Sequence, residues 1–247
     1  MQSDDLKLAQ IRQKLSSVRR SAWKPIVQEG DGDLTASKFA GKPWLSANET
    51  WPTCPNCQKP MQLFLQLNLD KLPESLNGKF GSGLLQFFYC TSYDEPLCEV
   101  DCEAWEPFAK TKLARIIQPN TTPSEMDIPG IEDLFPAKLI TGWEQRDEYP
   151  DRQEIELDNN TLDNKAFDIV YQRPPREDKL AGWPSWVQDP EYPNCPTCNH
   201  EMNQFIFQID SGDTNNNILY NWGDMGAAYL VQCPEHKEQV ALVWQCH

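Results

Sequence analysis

The chain has 247 residues, a formal net charge of -15, 39% hydrophobic and 24% charged residues. That length supports a real core in one large domain or two small ones, and the carboxylate excess argues against partners that present phosphate or anionic lipid. No apolar run approaches the ~20 residues that cross a bilayer and the polar start lacks the apolar centre of a secretory signal, so the expectation is a cytoplasmic protein with no membrane and no nucleic acid partner.

In chain order, Leu6, Ile11, Leu15 and Val18 mark one face of an N-terminal helix that starts near Ser3. The turn CPNC (Cys54–Cys57) runs into QKPMQLFLQL, whose alternation reads as a strand. GKFGSG (78–83) lacks the Lys-Ser/Thr of a phosphate loop and reads as a hairpin turn. It leads into GLLQFFYC (83–90), an apolar strand ending in Cys; its aromatics read as core rather than as a base-stacking platform. KLARII (112–117) and AKLITGW (137–143) read as strands, and QPNTTPSEMDIPG (118–130) as a loop. Residues 144–164 are polar and read as surface, with an edge strand at Gln153–Leu157.

The second half repeats the first. FAGKPWLSANETWPTCPNCQKPMQLF (39–64) lies over LAGWPSWVQDPEYPNCPTCNHEMNQF (180–205) without a gap, and GLLQFFYC pairs with GAAYLVQC (226–233). WGDMG (222–226) reads as a tight turn in preference to a ligand contact. The expected fold is α+β: β-rich, internally duplicated, two similar sheet-containing halves packed together, with an N-terminal helix. Residues 1–35 form the helix and lead-in, 36–150 the first repeat and 151–247 the second.

Nine cysteines in a reducing compartment point to metal or free thiols, not to a disulfide framework. Each Cys-x-x-Cys turn supplies half of a tetrahedral zinc site. The first site takes Cys54, Cys57, Cys90 and Cys98, with Cys102 the alternative fourth ligand. The second takes Cys195, Cys198, Cys233 and His236, with Cys246 and His200 as alternatives. Four protein ligands leave no place for a reactive water, so the zinc is structural. A redox pair would sit at a helix start, and neither turn precedes one; buried cysteines acting as small hydrophobes are the remaining reading. Gln58 and Asn199 follow the second cysteine of each turn, where glycine is the easier residue; Gln is the less comfortable of the two. Three histidines, all close to cysteines, and no nucleophile elbow leave no catalytic residue to nominate, and the chain is not expected to be an enzyme.

SKFAGKPWL, WPTCPNCQKPMQLFLQLNL, GLLQFFYC, FQIDS, WGDMG and LVWQCH, in that order, resemble the YwqG-like family of uncharacterised bacterial proteins. This resemblance implies a duplicated α+β fold with no established activity; many members lack the cysteines. Gly41–Trp44, Cys54–Cys57, Phe64–Gln66 and Phe87–Cys90 are also similar to the N-terminal region of the eukaryotic programmed cell death protein 2 group. Those proteins are chaperones for a basic ribosomal protein, which implies a protein-binding role. The expectation is a chaperone- or adaptor-like protein with structural zinc and a protein partner of basic character. The alternative is an enzyme or small-ligand binder that uses the cleft between the repeats.

Overall fold

The computed structural model describes residues 2–94, 97–98, 103–154, 171–211 and 217–247, with side chains from residue 8 onward. The Leu6 side chain, Cys102 and the end of the expected Gln153–Leu157 strand lie outside the described residues. Helix α1 spans Gln2–Ser17, and Ile11 and Leu15 are its buried positions. Ten strands follow: β1 (Arg20–Glu29), β2 (Lys38–Phe39), β3 (Gln62–Asn68), β4 (Leu84–Tyr89), β5 (Lys112–Ile117), β6 (Lys138–Glu148), β7 (Lys179–Ala181), β8 (Gln204–Asp210), β9 (Ala227–Gln232) and β10 (Val240–Gln245).

The α+β expectation is corrected here. Beyond α1 and three single 3-10 turns, the described elements are strands, and all ten join one sheet in the order β10-β9-β8-β7-β1-β6-β2-β3-β4-β5. The halves do not pack face to face as two sheets. They are spliced edge to edge by the long antiparallel pair β1–β6, which runs from Arg20↔Glu148 to Glu29↔Lys138. β7 covers only Ala22 and Trp23 of β1, so Pro25 falls beyond that pairing, at the kind of open edge where a missing N–H is tolerated.

The sheet curls until its two end strands meet. Lys112 of β5 donates from Nζ to the Leu242 carbonyl of β10 at 2.9 Å, and Trp244 Nε1 donates to the Ala104 carbonyl at 3.0 Å. No backbone ladder joins β5 to β10 among the described residues, so the result is a nearly closed, barrel-like sheet. Its interior is one apolar core shared by both halves. The Phe64 ring sits 5.2 Å from Tyr220 and 5.4 Å from Trp222, and Phe39 sits 5.8 Å from Phe207. Such tilted and edge-on pairs each add about 0.5–1.5 kcal/mol beyond the area they bury.

The outer face is not wet either. Every residue of β3, β4 and β9 is buried. Leu63, Phe88 and Trp51 form one outer cluster with Cys54, Cys90 and Cys98; Phe205, Val231 and Trp186 form another with Cys195 and Cys233. Loops, not helices, cover these faces.

The halves match bond for bond. β3 and β8 carry the same bulge, between Leu63 and Leu65 and between Phe205 and Phe207. This corrects the ungapped alignment at its end: Leu63, not Phe64, is the counterpart of Phe205. Gln66 Oε1 accepts from Trp44 N, and Gln208 Oε1 accepts from Ser185 N. Lys38 and Lys179 are wholly buried. Lys38 Nζ lies 2.5 Å from Asp31, which also accepts from Lys42 N; Lys179 Nζ lies 2.9 Å from Glu148, which also accepts from Trp183 N. Gly41 and Gly182, both at φ 77, bring the backbone close enough for these bonds. A Cβ there would stand 2.5 Å from Asp31 Oδ1 and 2.6 Å from Glu148 Oε2.

Two other readings are refined. Glu144, Gln145 and Asp147 are exposed, as the surface reading has it, but they form the end of β6, whose Glu148 is buried. GKFGSG lies in the connection of the antiparallel β3–β4 hairpin, as read, but that connection is longer than these six residues. Two 3-10 turns, Leu69–Lys71 and Glu74–Leu76, precede them, and Leu69 N closes the whole excursion on the Gly83 carbonyl.

Breaking a buried pair from one side leaves an uncompensated charge, at a cost of roughly 3–5 kcal/mol. Glu148→Gln should lose about that much in urea unfolding at pH 7. Lys179→Met should lose less, because Glu148 keeps Arg146 and the Trp183 N–H; equal losses would refute this account of the clasp. Lys112 tests the seam. Burial lowers its pKa to about 7. Between pH 7 and the ordinary lysine value near 10.5 the unfolded chain holds this proton and the folded chain does not, so stability rises with pH there, by at most about 1.4 kcal/mol per pH unit. Lys112→Met should flatten that slope in a melting series from pH 7 to 10, and an unchanged slope would contradict it.

Candidate metal centres

Both Cys-x-x-Cys turns are built by the same backbone bonds. Cys54 N donates to the Lys59 carbonyl and Gln58 N to the Cys54 carbonyl, each at 2.8 Å; Cys195 N donates to His200 and Asn199 N to Cys195, again at 2.8 Å. Met61 N and Met202 N close the loops onto Pro52 and Pro193 at 2.9 Å. Thr53 bridges Pro60, and Asn194 bridges Glu201. Each turn leads into a strand, so no helix dipole bears on the thiols.

Gln58 and Asn199 both stand at φ 62. The left-handed conformation costs an ordinary residue roughly 1–2 kcal/mol. Gln58 offsets this with its own side chain, whose Nε2 donates to the Pro55 carbonyl at 2.7 Å, a bond worth about 1 kcal/mol. Gln is therefore better suited to this position than its side-chain class suggests.

The strands deliver the remaining ligands. Cys90 follows β4 and Cys233 follows β9. Cys98 comes from the excursion between β4 and β5, and His236 from the turn after Cys233. The structure brings Cys54, Cys57, Cys90 and Cys98 into one set, and Cys195, Cys198, Cys233 and His236 into a second; within each set all ligand atoms lie within 4.8 Å of one another. Cys246 belongs to neither set, and among the described residues no cysteine is in a disulfide.

The spacing suits a metal. Sulfurs placed ~2.3 Å from a tetrahedral ion stand about 3.8 Å apart, whereas a disulfide needs about 2.05 Å. Cys57 and Cys90 sulfurs are 3.6 Å apart, and so are those of Cys198 and Cys233. Cys233 Sγ lies 3.8 Å from His236 Nδ1. Backbone N–H groups of Thr197 and His236 point at Cys195 and Cys233 sulfurs, each at 3.4 Å, which favours thiolates.

The thiols also pull one another's acidity apart. Burial opposes the Cys57 thiolate, but the Lys59 N–H and the facing thiols outweigh it and hold Cys57 below its ordinary value. Burial pushes Cys90 up to about 12 and Cys98 further in the same direction. In the second set burial opposes the Cys195 thiolate too, yet the N–H groups of Cys198 and Thr197 bring it to about 7. Cys198 accepts the His200 N–H, while burial and the facing thiols drive it up to about 11. Four thiols in the first set, or three in the second, cannot all ionise alone; a divalent cation would reverse the repulsion and take them as thiolates. The donor sets fit a soft-ligand metal.

Sequence reasoning missed the buried lysine clasps of the two halves. The Lys38 and Lys179 clasps precede the aligned blocks by one residue, and extending the alignment back by one position reveals the matching lysines. It also passed over Glu235, whose Oε1 lies 3.0 Å from His200 Nδ1 on the exposed side of the second centre. WGDMG is a turn, closed by Gly226 N on the Trp222 carbonyl at 2.9 Å.

Gln58→Gly should leave stability within about 1 kcal/mol of the parent, since it relieves the backbone and loses one hydrogen bond. Gln58→Val should cost about 1–3 kcal/mol, because it keeps the strain and loses the bond. Denaturant midpoints that rank the two variants the other way would overturn this reading.

No curated protein matches the sequence. The profile of a family described as a domain of unknown function (DUF1963) matches residues 37–246, a span that takes in both Cys-x-x-Cys turns and every candidate ligand. The chain belongs to the DUF1963 family.

Proposed function

We propose that both centres hold zinc as a structural ion and that the chain is a YwqG-like member of its family that binds another protein, as a chaperone or adaptor does. The observation that carries the zinc reading is the pair of closed four-donor sets, with sulfurs spaced for a tetrahedral ion. Bound zinc would tie four points of each outer loop together and leave no position for a reactive water. Cys54, Cys57, Cys90 and Cys98 would hold one ion, and Cys195, Cys198, Cys233 and His236 the other.

The partner reading rests on surface chemistry. A cleft of about 940 Å³ beside the first turn is lined by Pro55, Asn56, Phe108 and Ala109 together with Glu103, Glu106 and Lys110. Trp105 and Phe108 are about half exposed nearby. Half-exposed aromatic rings beside two carboxylates and one lysine, on a chain of charge -15, suit a basic polypeptide. The rival reading needs a ligand cleft between the repeats, and the packing lends it no support: the halves share one continuous interior core.

Protein purified without chelator should contain two zinc ions per chain by elemental analysis, and Cys54→Ala with Cys57→Ala should reduce this to one. No metal, with all thiols freely titratable, would end the zinc reading. Partners recovered from native lysate should be basic and should dissociate as salt rises, since exposed charges are screened over ~8 Å at physiological ionic strength. Acidic or neutral partners, or salt-independent retention, would remove the basis for the partner reading.

A further inference from the structure

The two centres differ on their exposed sides. His200 and Glu235 form a third set with Cys198, and its ligand atoms also lie within 4.8 Å of one another. Cys198 thus belongs to two sets at once: an inner one with Cys195, Cys233 and His236, and an outer one with His200 and Glu235. Glu235 Oε1 lies 3.0 Å from His200 Nδ1, so the two side chains already face one another beside Cys198.

The first half supplies the internal comparison. Lys59 occupies the place of His200, because each carbonyl accepts the first cysteine's N–H at 2.8 Å. Ser92 follows Cys90 by the same two steps as Glu235 follows Cys233. A lysine ammonium has no lone pair to give a metal, and its charge repels one. Lys59 is further engaged by Asp94. Among the described residues, the first centre has no outer set.

We propose that Cys198, His200 and Glu235 form an outer zinc site that shares the Cys198 thiolate with the inner one, and that zinc enters and leaves the second centre through it. This rests on the structural-zinc reading above. An incoming ion held by His200 and Glu235 competes for the Cys198 thiolate; the inner ion then keeps three ligands and can be released. Only coordination bonds change hands, and no electron moves. The second centre is the exchangeable one, and the Cys54 centre, guarded by Lys59, is the static one.

The test uses the full chain carrying two zinc ions, mixed with isotopically labelled zinc and followed by native mass spectrometry. One ion should exchange quickly and the other slowly. The His200 side chain is 67% exposed, so His200→Ala should fold normally, keep two ions and slow the fast exchange by about tenfold or more. Glu235→Gln should slow it in the same direction, and Lys59→His should speed the slow ion. Equal rates for both ions in the parent, or a fast phase untouched by His200→Ala, would show that His200–Glu235 is only an exposed ion pair. Parent chains that hold fewer than two ions before mixing would instead overturn the zinc reading itself, and this proposal with it.

Discussion

The structure depends on strands that are apolar on both faces. An antiparallel sheet ordinarily keeps one face in water, and here β3, β4 and β9 keep none. Their inner faces close into a shared aromatic core around Phe64, Phe87 and Trp222. Their outer faces, with Leu63 and Phe88 in one half and Phe205 and Val231 in the other, still need a cover. No helix supplies it among the described residues. The cover comes from the loops that carry the cysteines, and the fold therefore turns on whatever holds those loops down.

Two copies of one solution were spliced into a single sheet, and the copies diverged where exposure allowed it. The inward bonds are the same in both: Gln66 and Gln208 on a loop N–H, Lys38 and Lys179 on a carboxylate. Buried polar groups must be satisfied, which leaves little room to vary them. The fourth ligand comes in both halves from the connection after the third cysteine, but at another spacing and of another type, Cys98 in one half and His236 in the other. The outer neighbour also changes charge, from Lys59 to His200. Packing constrained the scaffold, and water left the periphery free.

What was legible in the sequence follows the same division. Patterns confined to a few residues could be read: the Cys-x-x-Cys turns, the strand at Lys112–Ile117, the apolar run before Cys90. The joining of the halves could not. β1 is half-exposed along its length and interrupted by Pro25, and its partner β6 lies more than a hundred residues away, so neither period nor composition announces the pair. The α+β expectation failed at this point, since two similar halves suggest two packed units when β1, one of the two strands that splice them, goes unread. Residue class also misled at Gln58: propensity disfavours Gln in a left-handed turn, and a single side-chain bond to Pro55 reverses the balance locally.

Magnitudes explain why loops of this kind need a metal. Ordering a loop residue costs about 1–2 kcal/mol in backbone entropy, and burying a large apolar side chain returns about 1.5–3. From Leu45 to Met61 only Leu45, Trp51, Cys54 and Met61 are buried; the other residues of that loop are half-buried or exposed. Burial alone returns less than this cost, and a bound ion, worth ~10–16 kcal/mol of apparent binding energy for zinc in small modules, would add to the loop's own hydrogen bonds. The same arithmetic links the metal to the outer strands. If the loop lifts, Leu63 and Phe88 lose their cover, and a bare apolar sheet face is a surface on which chains associate. An ion in either four-donor set would hold its loop, the loop covers the strand, and the strand can then be apolar on both sides.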